Sequence, residues 1–436
     1  MDNSEWWLWS VYAAPFLLIW GGYLRGVRRK EHRAIKTLAE ATSAGLTEPA
    51  SLHPVIDPNK CIGSGTCVKA CPEGNVLGMI RGKAQLIDPT RCIGHGACRV
   101  SCHRDAITLV FGTAKRGVDI PHVKPDFQTN VPGLYIAGEL GGMGLIRNAV
   151  TQGSEAMDAI AGLDGMGRDD RLDVVIIGAG PAGLAAALGA IEKGLRYAVL
   201  EQDTLGGTVS HFPRGKVVMT APAKLPIVGK TRFTEVSKEE LLAFWEKVIA
   251  DTGLQVKTGE RVEDVVREGD GFEVRTANGS YRARAVLLAI GRRGTPRKLG
   301  VPGEESTKVV YRLVDPEQYR GKKVLVVGGG DSALEAAASI ADEPGTTVTL
   351  SYRSEAFSRA KAKNRKRIAD AEAAGRLQLL MSSNVKAIFP DRVELEQGGE
   401  VFAVPNDAVI VSAGGVLPTP FLKRIGIEVE TKYGTA

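Results

Sequence analysis

The chain opens with a long apolar stretch, because residues 6–24 carry no charged side chain over nineteen positions. As a helix this stretch would be about 28 Å long, close to the thickness of the hydrocarbon core of a bilayer. Four tryptophans and Tyr23 lie near its two ends, where amphipathic rings favour the membrane interface. Arginines and a lysine follow directly, in residues 25–33. By the positive-inside rule we predict a single-pass membrane anchor with the N-terminus outside and the catalytic part of the chain cytoplasmic.

A second apolar pattern, DVVIIGAGPAGLAAA at residues 173–187, predicts a β-branched strand, a glycine-rich turn and an alanine-rich helix. Glycines in such a turn let a pyrophosphate approach the backbone at the helix N-terminus. The next predicted strand, residues 196–201, ends in an acid that is placed to bind a ribose hydroxyl. We predict a dinucleotide site with these cofactor-binding residues: Gly178, Gly180, Pro181, Ala182, Gly183, Glu201, Gly206 and Gly207.

The same pattern returns at residues 323–337, KVLVVGGGDSALEAA, with Ala333 in place of the third glycine. Its second strand, residues 346–353, ends without an acid and enters a run of basic residues. A ribose 2′-phosphate needs a positive partner where NAD would need a carboxylate. We therefore predict NADP(H) in preference to NAD(H), which stays an alternative. The predicted cofactor-binding residues are Gly328, Gly330, Asp331, Ser332, Ala333, Arg353 and Arg359.

All six cysteines lie in two copies of one pattern, DPNKCIGSGTCVKAC at 57–71 and DPTRCIGHGACRVSC at 88–102. Thiolates in such compact runs suit iron–sulfur clusters or zinc. A reducing cytosol argues against six cysteines forming disulfides. The residues alone leave three interpretations open, which are iron–sulfur clusters, zinc, and a fold that has lost its metal.

The repeat resembles the bacterial two-cluster ferredoxin module, C-x₂-C-x₂-C-x₃-C-P, in which each cluster takes its fourth cysteine from the other run. The resemblance implies two crossed sites: Cys61, Cys67 and Cys102 with Ser64 at the remaining corner, and Cys92, Cys98 and Cys71 with His95 at that corner. The chain departs from the family at these two corners and lacks proline after Cys102. Three thiolates can hold a 3Fe-4S cluster, or a 4Fe-4S cluster whose last iron takes serine, histidine or an outside ligand.

The two glycine-rich motifs, with AVLLAIG at 285–291 between them, resemble the thioredoxin-reductase-like flavoproteins, and GGGDSA at 328–333 matches their pyridine-nucleotide motif. That family closes its FAD site with a late segment that resembles residues 131–160 here, which implies FAD contacts for Gly138 and Glu139. Because this segment precedes the first motif, residues 113–162 resemble a circularly permuted completion of the FAD domain. The Cys-x-x-Cys of thioredoxin reductases is missing, since every cysteine lies in 61–102. Bacillithiol-disulfide-reductase-like flavoproteins also lack that pair.

Charge and composition exclude some classes of protein. Lysine and arginine number 56 against 50 acids, and residues 25–36 alone hold six basic and one acidic side chain. The rest of the chain is near neutral, so we predict no nucleic-acid partner. Glycine is abundant, at 52 residues, without the period of a collagen.

Together these patterns predict an α/β protein with two Rossmann-like domains, a small α+β ferredoxin-like module and one transmembrane helix. The predicted division is an anchor with its basic flank, a linker, an iron–sulfur module, a permuted FAD segment, an FAD domain, an NAD(P) domain and a return to the FAD domain: 1–30, 31–53, 54–112, 113–170, 171–302, 303–412 and 413–436. Because the cofactors carry the chemistry, no catalytic acid–base pair is predicted.

The resemblances imply a membrane-anchored FAD-dependent NAD(P)H oxidoreductase that exchanges electrons between NADPH, FAD and its own clusters. The acceptor would be ferredoxin-like or in the membrane, and a homodimer is expected by analogy with the family. Two alternatives stay open. One is a flavin-dependent reductase of low-molecular-weight disulfides such as bacillithiol disulfide, and the other is a membrane-bound redox sensor.

Overall fold

The computed structural model describes residues 6–46, 49, 52–114, 116–142, 144–220, 222–358 and 360–434, with only the backbone described for 6–10 and Met219. The chain divides into two compact units, one ending at Phe111 and the other beginning at Gly112. Arg359, one of the predicted nucleotide contacts, lies outside the described residues.

The first unit combines one long helix with two small antiparallel strand pairs. Strand β1 pairs with β4 and β2 with β3, and two short helices lie in the cysteine-bearing loops. The elements are α1 (Trp6–Ser43), β1 (His53–Ile56), α2 (Thr66–Ala70), β2 (Leu77–Ile80), β3 (Lys83–Leu86), α3 (Ala97–Val100) and β4 (Ile107–Val110).

The composition of helix α1 does not agree with the prediction of a membrane anchor. No helix in the described part of the chain is long and apolar enough to cross a membrane, so the predicted single-pass topology is wrong. The uncharged stretch is diluted by tryptophan, tyrosine, glycine and Pro15, which are weakly apolar or polar on transfer scales. The same helix continues without a break to Ser43. Its later turns belong to the module, since Ala34 packs against Ile80 and Ile87.

The second unit contains two sheets that bear helices, and its first sheet has six strands. The order is β13-β14-β15-β7-β8, and β6 pairs parallel with the end of β15. The first elements of the unit are β5 (Val118–Pro121), β6 (Leu134–Ile136), α4 (Ile146–Ala161), β7 (Leu172–Ile177), α5 (Pro181–Glu192), β8 (Tyr197–Leu200), β9 (Val217–Met219), β10 (Lys224–Leu225), β11 (Gly229–Lys230), β12 (Glu235–Ser237), α6 (Lys238–Thr252), β13 (Val262–Glu268), β14 (Gly271–Thr276) and β15 (Gly279–Leu288).

The second sheet is parallel throughout, in the order β17-β24-β18-β19-β20, with the three-stranded sheet β21-β22-β23 beside it. The predicted α/β class with two dinucleotide-binding folds is confirmed. The remaining elements are β16 (Thr295–Pro296), β17 (Val309–Val310), β18 (Lys323–Val327), α7 (Asp331–Ala341), β19 (Thr347–Tyr352), α8 (Ala362–Ala373), β20 (Leu377–Met381), β21 (Ser383–Ile388), β22 (Arg392–Gln397), β23 (Glu400–Pro405), β24 (Ala408–Val411), β25 (Gly415–Val416), α9 (Thr419–Arg424) and β26 (Val429–Lys432).

The segment that precedes the first glycine-rich motif is built into the first sheet and its core. Strand β6 hydrogen-bonds to β15, and β5 pairs antiparallel with β26 near the other end of the chain. Helix α4 packs closely on α5, because a Cβ at Gly153 would lie 2.1 Å from the carbonyl oxygen of Ala182. Met157 and Ile160 of α4 are fully buried in the same core as Leu184.

Candidate cofactor sites

The first glycine-rich turn leads from β7 into α5 at very short range. Gly178 has φ of +106°, and a Cβ there would lie 2.5 Å from the carbonyl oxygen of Ala289. A Cβ at Gly183 would lie 1.9 Å from the carbonyl oxygen of Gly178, so helix and turn touch backbone to backbone. Pro181 occupies the first turn of α5 and Gly180 precedes it. The free N–H groups of this helix end form an anion-binding position with no side chain in the way.

Glu201 lies directly after β8 and supports the turn. One carboxylate oxygen accepts the N–H of Ala179 at 2.8 Å, and the other accepts the N–H of Asp203 at 3.0 Å. The side chain is only 7% exposed. The carboxylate thus stands at the strand end beside the phosphate-binding turn, with lone pairs left for a ribose hydroxyl.

Two further predicted segments meet at the start of α5. Gly206 donates its N–H to the carbonyl of Ala179 at 3.0 Å, and a Cβ at Gly207 would lie 3.1 Å from Cα of Gly180. A Cβ at Gly138 would lie 3.1 Å from Cβ of Ala182. These glycines leave a continuous cradle at the helix end, which fits the pyrophosphate of an FAD.

Glu139 follows this cradle and is half-buried. Burial raises the pKa of Glu139, and the nearby guanidinium groups of Arg292 and Arg293 oppose that rise. Arg292 also donates to the carbonyl of Asp119 at 2.7 Å. The two arginines were not predicted as site residues, although the sequence places them directly after the buried end of β15.

The second turn, between β18 and α7, has the same form with a different third residue. Gly328 has φ of +143°, and a Cβ there would lie 2.4 Å from the carbonyl oxygen of Ser412. Ala333 is fully buried in α7, and Ser332 is exposed in its first turn. Gly330 immediately precedes α7. Because glycine has no side chain, this residue does not cover the N–H groups at the start of the helix.

Asp331 was predicted to bind the cofactor, and the structure shows it engaged within the protein. Its Oδ1 atom accepts the N–H of Lys361 at 2.8 Å and the amide of Asn364 at 2.7 Å. The carboxylate therefore ties the start of α7 to the start of α8. Its second oxygen is the one left to face a ligand.

The end of β19 carries an aromatic ring in place of an acid. Tyr352 stacks on Phe357 with ring centroids 5.5 Å apart, and its ring lies over Gly329, where a Cβ would be 2.3 Å from it. Arg353 follows and is exposed. This end of the sheet offers a cation and no strand-end carboxylate, which fits a ribose 2′-phosphate. The sequence motif did not single out Tyr352, because its contact with Gly329 joins residues far apart along the chain.

Two charged contacts join the part of the second unit that is built on the first sheet to the part that is built on the second sheet. The Lys216 ammonium pairs with Glu335 of α7, and Arg312 contacts the Nδ1 atom of His211. Burial and the charge of Arg312 lower the pKa of His211. These residues lie outside the motifs, and no local sequence signal points to them.

In the first unit the six thiols form two groups of three. Cys67 interacts electrostatically with Cys61 and Cys102, and burial raises its pKa. Together with Ser64 these cysteines line one cavity.

The second group is formed by Cys71, Cys92 and Cys98. Burial raises the pKa of Cys98 to about 11, with contributions from Cys92 and Cys71. Among the described residues, no three acidic, histidine or cysteine side chains converge on the position of a single metal ion. The thiols are instead spread around glycine loops, where Gly63 and Gly94 both have positive φ. Thiolate donors on such repeated loops fit iron–sulfur clusters.

The two non-thiolate corners have different neighbours. Ser64 Oγ lies 3.2 Å from Thr66 Oγ1, and that hydroxyl donates to the carbonyl of Ser101 at 3.0 Å. His95 Nε2 lies 3.5 Å from a carboxylate oxygen of Glu73.

Comparison with known proteins agrees with both parts of this description. The family model "Pyridine nucleotide-disulphide oxidoreductase" matches residues 175–435, and the "4Fe-4S dicluster domain" matches residues 53–103. A ferredoxin–NADP reductase of Ignicoccus hospitalis is 31% identical over 269 residues, covering 60% of this chain and 83% of the relative. One from Thermus thermophilus is 33% identical over 272 residues, covering 60% and 78%.

Among solved structures, bacillithiol disulfide reductase Bdr from Bacillus cereus matches with a TM-score of 0.52 and 26% identity, covering 59% of this chain and 82% of that one. These similarities confirm the predicted cofactors, namely FAD, NADP(H) and iron–sulfur clusters. They also confirm an FAD-dependent NAD(P)H oxidoreductase.

Proposed function

Because the chain belongs to the pyridine nucleotide-disulphide oxidoreductase family, we propose that it exchanges electrons between NADPH, FAD and the clusters of its own N-terminal module. A ferredoxin-like protein is the proposed outside partner, in line with the names of its relatives. The reaction joins a two-electron carrier to one-electron carriers, which a flavin can do because it releases its electrons singly.

One observation carries this proposal: every cysteine of the chain belongs to one of the two groups in the module. The flavin therefore has no dithiol in this chain to reduce. Electrons that arrive from NADPH must pass to the module or directly to an outside substrate. A chain with six cysteines grouped in threes favours the module.

The chain's own residues would hold the three kinds of cofactor in separate places. The start of α5, the turn at Gly206 and the carboxylate of Glu201 would bind FAD, and the start of α7 with Arg353 would bind NADP(H). We propose that residues 113–162 complete the FAD domain as a permuted segment. The pairing of β5 with β26 and of β6 with β15 supports this.

For the clusters, we propose the ligands Cys61, Cys67 and Cys102 at one site and Cys71, Cys92 and Cys98 at the other. Ser64 and His95 would lie at the fourth corners. When bound, the clusters accept and release single electrons. The protein contributes the thiolates and the glycine turns that let the backbone wrap closely.

The test combines cofactor analysis with two matched variants of the whole chain. Anaerobically purified protein is analysed for iron, sulfide and flavin, and its NADPH-dependent reduction of an added two-cluster ferredoxin is measured. Cys67→Ala and Cys98→Ala each remove one thiol from a different group. We expect each to slow ferredoxin reduction about tenfold or more, equal to about 1.4 kcal/mol in the barrier. Reduction of ferricyanide should persist, because the flavin alone can serve it.

Iron-free protein that still reduces ferredoxin at the full rate would contradict the proposal. So would cysteine variants that leave the rate unchanged.

A second candidate is reduction of a low-molecular-weight disulfide directly at the flavin. It is favoured by similarity to bacillithiol disulfide reductase, which covers 59% of the chain at a TM-score of 0.52. Turnover of bacillithiol disulfide by NADPH, unaffected by Cys67→Ala and Cys98→Ala, would support this candidate over the first.

A further inference from the structure

The residue at each non-thiolate corner has a polar neighbour. The position that corresponds to this neighbour at the other corner holds a different residue. Offset by one repeat, Glu73 corresponds to Arg104, and Thr66 corresponds to Ala97. Glu73 accompanies His95, and Thr66 accompanies Ser64. The two corners therefore differ both in the corner residue itself and in the residues that correspond to its polar neighbour.

Glu73 lies among the residues of the second cysteine group. Its carboxylate interacts electrostatically with the Cys92 thiol, which is itself close to Cys71. The same carboxylate lies 3.5 Å from Nε2 of His95. Glu73 and His95 are both about three-quarters buried, with side chains 24% and 23% exposed. Glu73 therefore lies close both to the imidazole of His95 and to the thiols of the second group.

The orientation of the imidazole has a chemical consequence. A histidine that binds a metal through one ring nitrogen usually donates the other N–H to a carboxylate, which fixes its tautomer and raises its basicity. With Nε2 directed to Glu73, the nitrogen left to bind iron is Nδ1.

The Ser64 corner provides the contrast. Thr66 uses its hydroxyl proton on the carbonyl of Ser101, so Ser64 must donate its own proton to Thr66 Oγ1. Ser64 is thereby kept as a protonated hydroxyl, a poor ligand for iron. Arg104, in the place of Glu73, lines the cavity of this group with Cys61 and Cys102.

We propose that Glu73 is a positioning residue that orients His95 to bind, through Nδ1, the cluster held by Cys71, Cys92 and Cys98. The inference rests on the proposed function, since it needs a cluster at that site. It makes the two sites chemically distinct, one with a histidine corner and one whose serine hydroxyl donates its proton to Thr66.

The experiment uses the full chain, purified anaerobically, reconstituted with iron and sulfide, and reduced with dithionite. Pulsed EPR then detects nitrogen coupled to the reduced clusters, with histidine labelled with ¹⁵N for assignment. We expect histidine coupling in the wild type and in Ser64→Ala, and its loss in His95→Ala. Glu73→Gln should weaken the coupling and lower the iron content by up to one cluster.

A double variant separates positioning from a purely structural role of Glu73. His95→Cys restores the fourth thiolate of the family pattern, and a thiolate needs no carboxylate to orient it. Glu73→Gln should therefore lower the iron content of the protein that retains His95, and it should change the iron content of the His95→Cys protein little. Asp105→Asn is the matched control, because this exposed acid lies just beyond the last cysteine of the other copy and should change neither readout.

The outcomes distinguish the inference from the function on which it rests. Protein without iron would contradict the proposed function. Protein with iron but no histidine coupling would overturn the inference alone, and so would equal iron loss from Glu73→Gln in the His95 and His95→Cys proteins.

Discussion

The two glycine-rich turns of the second unit, which we propose to bind FAD and NADP(H), are superficially alike, and their differences show how one backbone design is adapted to different neighbours. In both, the first glycine donates its N–H to the neighbouring strand, Gly178 to Leu200 at 2.7 Å and Gly328 to Ser351 at 2.9 Å. This common hydrogen bond makes Glu201 equivalent to Tyr352.

With that alignment, the two turns place alanine and glycine at swapped positions. The first turn has Ala179 and Gly183, and the second turn has Gly329 and Ala333. A carboxylate accepts the N–H of Ala179, whereas an aromatic ring covers Gly329. The side chain at the end of the neighbouring strand therefore decides whether the second residue of the turn must be glycine.

The largest expected effect breaks the comparison at the third glycine. In Gly183→Ala the new Cβ would lie 1.9 Å from the carbonyl oxygen of Gly178, so helix and turn must separate. We expect a loss of about 3 kcal/mol of unfolding free energy and of most bound FAD. Thermal unfolding and the flavin absorbance of the purified protein measure both.

Ala333→Gly is the matched control, because the equivalent position of the second turn already accepts a methyl group. It should cost only about 1 kcal/mol and leave the flavin content unchanged. Equal effects of the two substitutions would contradict the comparison.

A smaller effect is expected at the strand end of the proposed FAD site. In the wild type, each carboxylate oxygen of Glu201 accepts one backbone N–H group. Glu201→Gln replaces one of these oxygens with an NH₂ group, so one backbone N–H then faces another donor. We expect FAD to bind about 30-fold more weakly, equal to about 2 kcal/mol. Titration of the apoprotein with FAD measures this, with the exposed Glu246→Gln as control. An unchanged FAD affinity of the Glu201→Gln protein would contradict a role of this carboxylate in FAD binding.

The equivalent test at the nucleotide site uses the ring over the turn. In Gly329→Ala the methyl group would meet the ring of Tyr352, so we expect about tenfold weaker NADPH binding, or about 1.4 kcal/mol, with FAD retained. Tyr352→Ala should remove this conflict, so Gly329→Ala should cost much less in that background. A double-mutant cycle on the NADPH dissociation constant measures the coupling. No coupling between the two positions would show that the ring does not impose the glycine.

The smallest expected effect concerns the 2′-phosphate. Arg353 is exposed, so its charge is screened, and we expect Arg353→Gln to raise KM for NADPH about fivefold, equal to about 1 kcal/mol. KM for NADH should stay the same, because NADH lacks the phosphate. The exposed Lys366→Gln on α8 should change neither constant. A parallel change in both cofactors for Arg353→Gln would remove this residue from the specificity assignment.

The sequence predicted these elements well where the signal is local. The strand expected to precede Gly178 is β7, and the strand expected before Arg353 is β19, because β-branched runs and glycine turns are specified by neighbouring residues. The crossed grouping of the thiols came from the resemblance to two-cluster ferredoxins, which rests on a repeat that is visible along the chain. The sequence related the region of β5 to that of β26 only through the resemblance that implies a circular permutation of residues 113–162.

Contacts between distant positions lay beyond the sequence. Tyr352 over Gly329, Glu73 beside His95 and Lys216 on Glu335 join residues that no local pattern relates. Asp331 was assigned to the cofactor by its place in the motif, and its bonds to Lys361 and Asn364 required the structure. The membrane prediction is wrong because a stretch without charges is not by that alone apolar enough to cross a bilayer.

The most direct test of electron exchange within the chain follows the cluster EPR signal of the whole protein while electron transfer is started in each direction in turn. Excess NADPH is added anaerobically to the oxidised protein, and NADP⁺ is added to protein reduced with dithionite and freed of the excess. Electron exchange within the chain predicts that the cluster signal grows in the first sample or declines in the second, as the flavin absorbance changes with it. A flavin that changes its oxidation state in both samples while the cluster signal stays constant in both would contradict the account.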